Sequence, residues 1–403
     1  MLPKTESWLR SFVLLFIMNF FMWFGVALLI PTLPLFARHL GAAQAQIGYL
    51  IGTFGVASLL IRPYAGYTYD NYSKKTILLV SLAAFALLMF SYSLAASFLF
   101  LFVLRMFHGI IFGFVSTGGG AIIADIVPAE RRAEMIGIFG LGNTLAMSVG
   151  PAIGIWVATA RGFNAMFLSC GAFMVIASLL PVFISAPQVH TTARRSFTYK
   201  TAFEPRVLSV SFMVLFIGMI FGGLNTFVAM FGEEIGIANG GIYFTLNSIG
   251  VAISRLFFGK VQDRRGPRPV LRAGLSCLAL GLVILGLSRG IVPFAIAALL
   301  IGFGMGINWP AMQAMVINMV EPDRRGVALS VHGAAVDIGI AGGAVMLGWV
   351  ADLTSLGTMY LVSAAAVVIP FAAFQFYVFP DYERKVAELG ERALVTAVSG
   401  RKE

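Results

Sequence analysis

Long apolar runs follow one another along almost the whole chain, and their lengths limit the possible folds more than any other feature. A helix needs about 20 mainly apolar residues to cross a bilayer, and the runs lack the alternation of a membrane barrel. Charged residues make up only 11% of the 403 residues, whereas soluble domains carry roughly a quarter. We therefore predict an all-α membrane protein. Twelve transmembrane helices are expected at 11–33, 46–67, 76–96, 98–123, 133–158, 164–185, 208–231, 241–260, 270–288, 292–318, 326–351 and 357–380.

One connection is distinctly polar and basic, and it covers residues 186–207. It divides the chain into a six-helix bundle over residues 1–185 and a second one over residues 208–380. A charged tail follows at 381–403, and we expect it to be cytoplasmic.

Lysine and arginine residues predict the orientation, because cytoplasmic loops carry them in excess. With both termini in the cytoplasm, almost all of the 28 basic residues face that side. The exceptions are Arg38, Arg161 and Arg289 in outer loops and Arg62, Arg105 and Arg255 in helices. This distribution explains the net charge of +10 without a nucleic-acid partner. We expect a monomer in the inner (plasma) membrane of the cell, with the lipid bilayer as its surroundings.

The two halves of the chain are copies of one unit. Arg62 matches Arg255, and the same spacing of 193 residues relates Gly150 to Gly343. Six-helix repeats related by an axis along the membrane normal place a substrate site between them, near the midplane.

A loop motif also occurs twice. Its residues are Gly66, Asp70, Lys74 and Lys75 after the second helix, and Gly259, Asp263, Arg264 and Arg268 after the eighth. Both copies resemble the cytoplasmic loop motif of the major facilitator superfamily, G-x-x-x-D-(R/K)-x-G-(R/K)-(R/K). The first copy departs from it, with Asn71 at the basic position directly after the aspartate and Ser73 at the glycine position. The resemblance implies two pseudo-symmetric six-helix bundles and a latch that stabilises the outward-open state, with Asp125 as a further partner. A loop that only sets topology would explain the basic residues alone.

Two motifs resemble those of proton-coupled drug antiporters in this superfamily. Arg105-Met-Phe-His108-Gly109 is similar to R-x-x-Q-G, with His108 in place of glutamine. The antiporter motif of helix 5, G-x-x-x-G-x-x-x-G-P-x-x-G-G, is matched by Gly142, Gly150, Pro151 and Gly154. An intramembrane arginine must face protein or water, and the second repeat carries Ala298 and Ile301 at the positions of Arg105 and His108. The resemblance implies export, whereas a structural arginine, a core histidine and ordinary glycine packing are the alternatives.

Asp337 is the one carboxylate expected in mid-membrane, where it should face a cavity or a partner helix. We predict that it exchanges protons; a fixed salt bridge is the alternative. In this superfamily helices 1, 4, 7 and 10 line the cavity, and a mostly apolar cavity suits amphipathic solutes. The polar and aromatic candidates there are Asn19, Trp23, Asn225, Asn308, Trp309 and Gln313. Glu233 and Glu234 are interpreted as a solvated outer rim.

These features predict a secondary transporter that exports a small organic or amphipathic solute by alternating access, with Asp337, Arg105 and His108 in proton coupling. The alternatives are a proton-coupled importer or facilitator of a sugar, organic acid or osmolyte, and a lipid flippase. No nucleophile–base set or metal-ligand spacing suggests an enzyme or a metal site. The chain also lacks a phosphate-binding Gly-Lys-(Ser/Thr) loop, so we expect no cofactor and a proton gradient as the energy source.

Overall fold

The computed structural model describes residues 4–128, 131–184, 204–321 and 324–399. In a few stretches within these ranges only the backbone is described, among them residues 70, 124–125 and 255–265. The described chain is helical and contains no strand, which confirms the predicted all-α class. The helices of the first half are α1 (Lys4–His39), α2 (Gln44–Asn71), α3 (Lys74–Ser91), α4 (Phe98–Ile126) and α5 (Arg132–Leu179). Those of the second half are α6 (Leu208–Glu234), α7 (Ile242–Arg265), α8 (Pro267–Gly286), α9 (Ile291–Asn318), α10 (Arg325–Leu353), α11 (Leu356–Ala366), α12 (Val368–Ala373) and α13 (Phe379–Ser399).

Among the described residues, ten helices are long and apolar enough to cross a membrane, and Ile242–Ser254 is a shorter apolar helix. The chain is therefore a multi-pass membrane protein. The helices do not map one to one onto the twelve expected spans, because the spans at 133–158 and 164–185 fall on the single element α5.

Helix α5 contains a sharp bend at Gly162, where φ is 84° and ψ is 165°. This left-handed region is readily accessible only to glycine. Successive residues along the first arm of α5 contact successively later residues of α1. Along the second arm they contact successively earlier residues of α1. The contacting pairs are Gly142 with Asn19 and Gly154 with Leu28 on the first arm, and Phe167 with Phe36 and Phe173 with Phe24 on the second. The two arms are therefore antiparallel, and each runs alongside α1.

The chain forms two compact units. The first contains residues 1–197 together with 225–248, and the second contains 198–224 together with 249–403. The end of α6 and the start of α7 thus pack with the first six expected spans, although the sequence assigns them to the second bundle. Most of the expected linker, 186–207, lies outside the described residues.

Glycines allow close helix packing in both units, as the repeated small-residue stripe predicts. In the first unit, an added Cβ at Gly154 would collide with the carbonyl oxygen of Leu28 on α1. In the second unit, a Cβ at Gly339 or Gly343 would collide with backbone carbonyls of α6. The helix pairs α1–α5 and α6–α10 are therefore in backbone contact at these positions.

Candidate functional site

A buried polar cluster lies inside the first unit, where α4 meets α2 and the turn after α3. Arg105 and His108 are three residues apart on α4, and Arg105 Nη1 lies 3.1 Å from His108 Nδ1. The hydroxyl of Tyr92, in the short 3-10 helix Tyr92–Leu94, lies 3.0 Å from the same nitrogen. His108 is fully buried and Arg105 is 7% exposed. The sequence predicted that Arg105 and His108 share a helix face, and in the structure they contact each other.

Aromatic rings enclose this cluster. The guanidinium of Arg105 lies 4.3 Å from the ring centroid of Phe54 on α2, a distance at which a cation is attracted to the ring face. Phe54 and Phe85 each place their ring centroid 5.0 Å from that of His108. Arg105 Nε and His108 Nε2 are buried without a hydrogen-bond partner, so the cluster retains unused donor or acceptor capacity in an apolar environment.

The four residues of the predicted antiporter motif lie on the first arm of α5, and its three glycines face α1. Gly150 faces Ala27, and Gly154 faces Leu28. Pro151 is buried, and its carbonyl lies close to Gly241 at the start of α7. The motif thus packs against two helices rather than against an open space.

The six predicted cavity residues are distributed over several environments. Asn19 is buried and donates a hydrogen bond from Nδ2 to the carbonyl oxygen of Phe139, at 3.0 Å. Half-buried Trp23 packs edge-on against Phe112 on α4, with 5.3 Å between ring centroids. Asn225 is also half-buried.

The other three cavity candidates lie on α9. Trp309 is half-buried, 6.0 Å from the ring of Phe221 on α6, and Gln313 is exposed. Asn308 is fully buried, and its side chain occupies the space beside Gly274 on α8. It therefore fills the α8–α9 contact, and both of its side-chain polar atoms lack a hydrogen-bond partner.

Helix α10 carries Asp337, which is half-buried. Five residues before it, His332 is only 2% exposed, and neither of its ring nitrogens has a hydrogen-bond partner. The sequence reasoning missed His332, because no motif marks it. The signal it could have used is an ionisable side chain in the middle of an apolar span.

Two of the predicted latch residues, Lys75 and Arg268, contact helix ends in the structure. The Nζ of Lys75, in the first turn of α3, donates hydrogen bonds of 2.8 Å to the carbonyl oxygens of both Val182 and Ile184. A cation is favourable at a helix C-terminus, where carbonyls lack partners. The guanidinium of Arg268 lies 4.9 Å from the ring centroid of Phe379, at the start of α13.

The remaining latch candidates give less information. Lys74 is half-buried, and a Cβ added at Gly66 would meet no neighbouring atom within 4 Å. The side chains of Asp70, Asp125, Asp263 and Arg264 lie outside the described part of the structure, and so does any side-chain environment at Gly259. Their predicted pairing stays a prediction.

An ionic cluster that sequence reasoning missed fastens α13 to the start of α6. Asp381 accepts hydrogen bonds of 2.6 Å from Ser209, Arg384 and Lys385. Lys385 also donates to the carbonyl oxygen of Arg206, at 2.7 Å. Beside it, Arg206 pairs with Glu321 at 2.5 Å and Arg324 with Glu204 at 2.9 Å.

A separate ion pair lies in the first unit. Arg38, near the end of α1, pairs with Glu233, near the end of α6, and each side chain is 36% exposed. Nearby, Asn239 Nδ2 donates to the carbonyl oxygen of Ala152 at 3.3 Å, and Thr245 Oγ1 donates to that of Ser148 at 3.1 Å. Glu233, interpreted from the sequence as a solvated rim residue, thus holds a specific partner, whereas Glu234 is exposed.

Comparison with known proteins gives one consistent family. The family model described as Major Facilitator Superfamily matches residues 15–240 and 210–402. The chain is 26% identical to an uncharacterized MFS-type transporter of Methanocaldococcus jannaschii, covering 89% of this chain and 96% of that protein. It is also 26% identical to the staphylopine export protein of Staphylococcus aureus, with coverage of 89% and 94%. The quinolone resistance protein NorA of Staphylococcus aureus is 24% identical, with coverage of 89% and 95%.

Solved structures show the same fold. A nucleoside transporter, NupG, aligns with a TM-score of 0.77 at 16% identity and covers 91% of this chain and 100% of its own. A bacterial homologue of the human lysosomal transporter Spinster aligns with a TM-score of 0.73 at 18% identity, with coverage of 96% and 98%. At these identities the likeness concerns the fold and not the substrate.

Proposed function

Because the chain belongs to the major facilitator superfamily, we propose that this transporter exports a small organic or amphipathic solute in exchange for protons. Relatives that align over nearly their whole length include a staphylopine exporter and a quinolone resistance protein. Their names favour export over the alternative of import. They also suggest a quinolone as the first compound to test.

The observation that carries the proposal is the buried contact of Arg105 with His108 and Tyr92. A permanent cation deep in a helical bundle is costly, and the second repeat does without it, since Ala298 and Ile301 occupy the matching positions. The packing of the scaffold therefore does not require this charge. A role in coupling explains why it stands beside a histidine, a side chain that can bind and release a proton.

Asp337 supplies the second group of the proposed coupling. It is half-buried in an apolar helix of the second unit, and a carboxylate at such a position can bind and release a proton during a transport cycle. We assign proton exchange to Asp337. We assign the coupling of that exchange to conformational change to Arg105 and His108. The proton gradient would then drive the cycle without a cofactor or a metal.

The membrane arrangement is part of the proposal. Ten long apolar helices, one of which bends back on itself, and the shorter helix Ile242–Ser254 together support twelve crossings. We propose that the protein acts as a monomer in the plasma membrane, with both termini in the cytoplasm. Residues 1–185 and 208–380 would form the two bundles that move during transport. The loop motifs after α2 and α7 would latch the cytoplasmic side, with Lys75 holding the end of the first bundle.

Transport in reconstituted vesicles tests the proposal. Purified protein is placed in liposomes, a pH gradient is imposed, and accumulation of the quinolone norfloxacin is measured for wild type, Arg105→Ala and Asp337→Asn. The matched controls are Arg161→Ala, at the exposed bend of α5, and Asp352→Asn, at an exposed position of α10. We expect both site variants to lose gradient-driven accumulation and both controls to retain it. Full-rate transport by both site variants would refute the coupling assignment.

The polarity of the gradient separates export from import. In vesicles oriented like the cell, an exporter moves norfloxacin outward when the outside is acidic, whereas a proton-coupled importer accumulates it inside. The same vesicles carrying a fluorescent phospholipid report any flippase activity, which would replace the proposal if it exceeded solute transport.

A further inference from the structure

Two buried polar side chains on the packed helices α6 and α10 have no hydrogen-bond partner. Both ring nitrogens of His332 on α10 and the hydroxyl of Ser211 on α6 are unpaired, and the two residues are 2% and 4% exposed. An unsatisfied buried polar group is destabilising, because it has lost its hydrogen bonds to water without gaining others. Three such atoms at one level of a helix pair therefore need an explanation.

The packing register brings His332 and Ser211 to the same level of the α6–α10 contact. Gly343 lies against Met219, and Gly339 lies against Leu215, so the contact advances four residues at a time on both helices. One further step of four brings Ala335 opposite Ser211. His332 lies three residues before Ala335, on the same helix face.

The first unit contains the equivalent position, and there it is satisfied. Gly150 corresponds to Gly343, and it lies against Ala27 of α1 as Gly343 lies against Met219 of α6. Ala27 therefore corresponds to Met219. Eight residues earlier on each helix, Asn19 corresponds to Ser211. The residue that matches His332 at the repeat spacing is Phe139. Asn19 donates its hydrogen bond to the backbone of Phe139, and the scaffold therefore accepts an apolar ring at this position without leaving polar atoms unpaired.

Among the described residues, few charged groups lie on the helices that pack against α10. Helix α9, which packs against α10, contains no titratable residue, and α6 has none before Glu233. The other neighbours of α10 contribute Arg206 and Tyr360, while α10 itself carries Arg325, Asp337 and Asp352. Because no carboxylate of α6 or α9 lies near, an imidazolium there would be stabilised only by water or by a change in conformation.

We propose that His332, with Ser211 beside it, is a proton-binding site of the second unit that is used in the transport cycle. One ring nitrogen accepts a proton from water on one side of the membrane, and the proton is released to water on the other side after the conformation changes. The imidazolium would favour the conformation that hydrates it, since a ligand shifts an equilibrium by its differential affinity for the two states. The proposal deepens the proposed proton-coupled export and rests on it.

Histidine NMR tests proton binding without any transported solute. The chain has only four histidines, so the signal of ¹⁵N-labelled protein in lipid nanodiscs that is missing in His332→Phe identifies this residue. We expect the His332 signal to change from neutral imidazole to imidazolium as the pH is lowered over the whole range in which the protein stays folded. A signal that stays neutral throughout this range would overturn the inference and leave the proposed function standing.

Transport measurements then test whether the bound proton is used. His332→Phe installs the residue that the first repeat already holds, so we expect unchanged thermal stability. A gradient of about one pH unit can sustain about tenfold accumulation per coupled proton, and we expect His332→Phe to abolish this accumulation of norfloxacin. Counterflow of norfloxacin, which needs no net proton movement, should remain. His39→Phe, at an exposed position, is the matched control, and Ser211→Ala should weaken the accumulation.

The outcomes separate the two levels of the proposal. Coupling retained by His332→Phe at the wild-type level would overturn the role of His332 while leaving the exporter intact. Loss of counterflow and stability together would mean a structural role and would also overturn it. If wild-type vesicles show counterflow but no gradient-driven accumulation, the proposed proton coupling itself fails.

Discussion

The hydroxyl of Tyr92 and Nδ1 of His108 lie 3.0 Å apart inside the first unit, although 16 residues separate them along the chain. The turn between α3 and α4 makes this possible, because it returns the chain within six residues from the end of α3 to the start of α4. Tyr92 thereby fixes the ring of His108 on the side that also faces Arg105.

Removing the Tyr92 hydroxyl should destabilise the protein. We expect Tyr92→Phe to lower the free energy of unfolding by about 1 kcal/mol, the usual net contribution of one hydrogen bond. Thermal unfolding in detergent measures the change. Tyr382→Phe is the control, since its hydroxyl accepts a 3.4 Å hydrogen bond from Asn318 at an exposed site, and it should unfold like wild type. Equal behaviour of the two variants would contradict the importance of the buried contact.

Adjacent glycines of α10 should respond oppositely to alanine. A methyl group at Gly343 collides with the backbone of Met219, whereas one at Gly342 meets no atom within 4 Å. Overpacking typically costs about 1–3 kcal/mol, so we expect Gly343→Ala to lower the unfolding temperature. Gly342→Ala should be neutral or stabilising by about 0.5–1 kcal/mol, because alanine restricts the unfolded chain. Similar losses in both variants would refute the close α6–α10 packing.

The attachment of α13 should depend on one carboxylate. Asp381 is only 9% exposed and accepts three hydrogen bonds, two of them from cations. Hydrogen bonds to charged groups contribute about 1.5–3 kcal/mol, and we expect Asp381→Asn to cost an amount in this range. Glu388→Gln should cost almost nothing, since Glu388 lies 3.9 Å from Arg384 at an exposed site. Urea or thermal unfolding distinguishes the two variants, and a neutral Asp381→Asn would contradict the docking role of this cluster.

Charge reversal should reveal the pair between Arg38 and Glu233. Arg38→Glu or Glu233→Arg alone places like charges together at the ends of α1 and α6, whereas the double exchange restores attraction. Because both side chains are 36% exposed, we expect a coupling of only about 0.2–1 kcal/mol. A double-mutant cycle on unfolding temperature at low and high salt measures it. Strict additivity at low salt would show that the pair contributes nothing.

Features that repeat along the chain could be predicted from the sequence. Helical class, the apolar spans and the close packing at Gly154 and Gly343 follow from periodicity and from small residues at fixed spacing. The contact between Arg105 and His108 was also accessible, since residues three apart share a helix face.

Features that depend on distant parts of the chain could not be predicted in this way. Glu204, Glu321 and Asp381 come together only after the second unit has folded, so no local pattern marks their cluster. The direction of the Asn308 side chain could not be predicted either, because all faces of this apolar helix have similar sequences. Only the structure shows that Gly274 leaves space for the amide. His332 lacked any motif and emerged only from its unpaired ring nitrogens.

The bend at Gly162 has a consequence for biogenesis. Because a single left-handed residue reverses the chain, the arms of α5 can leave the translocon together as one preformed hairpin. The connection between the two arms contains a single charged residue, Arg161. A residue with a side chain at position 162 would be strained in this left-handed conformation, so it would disfavour the hairpin itself, independently of the contacts with α1.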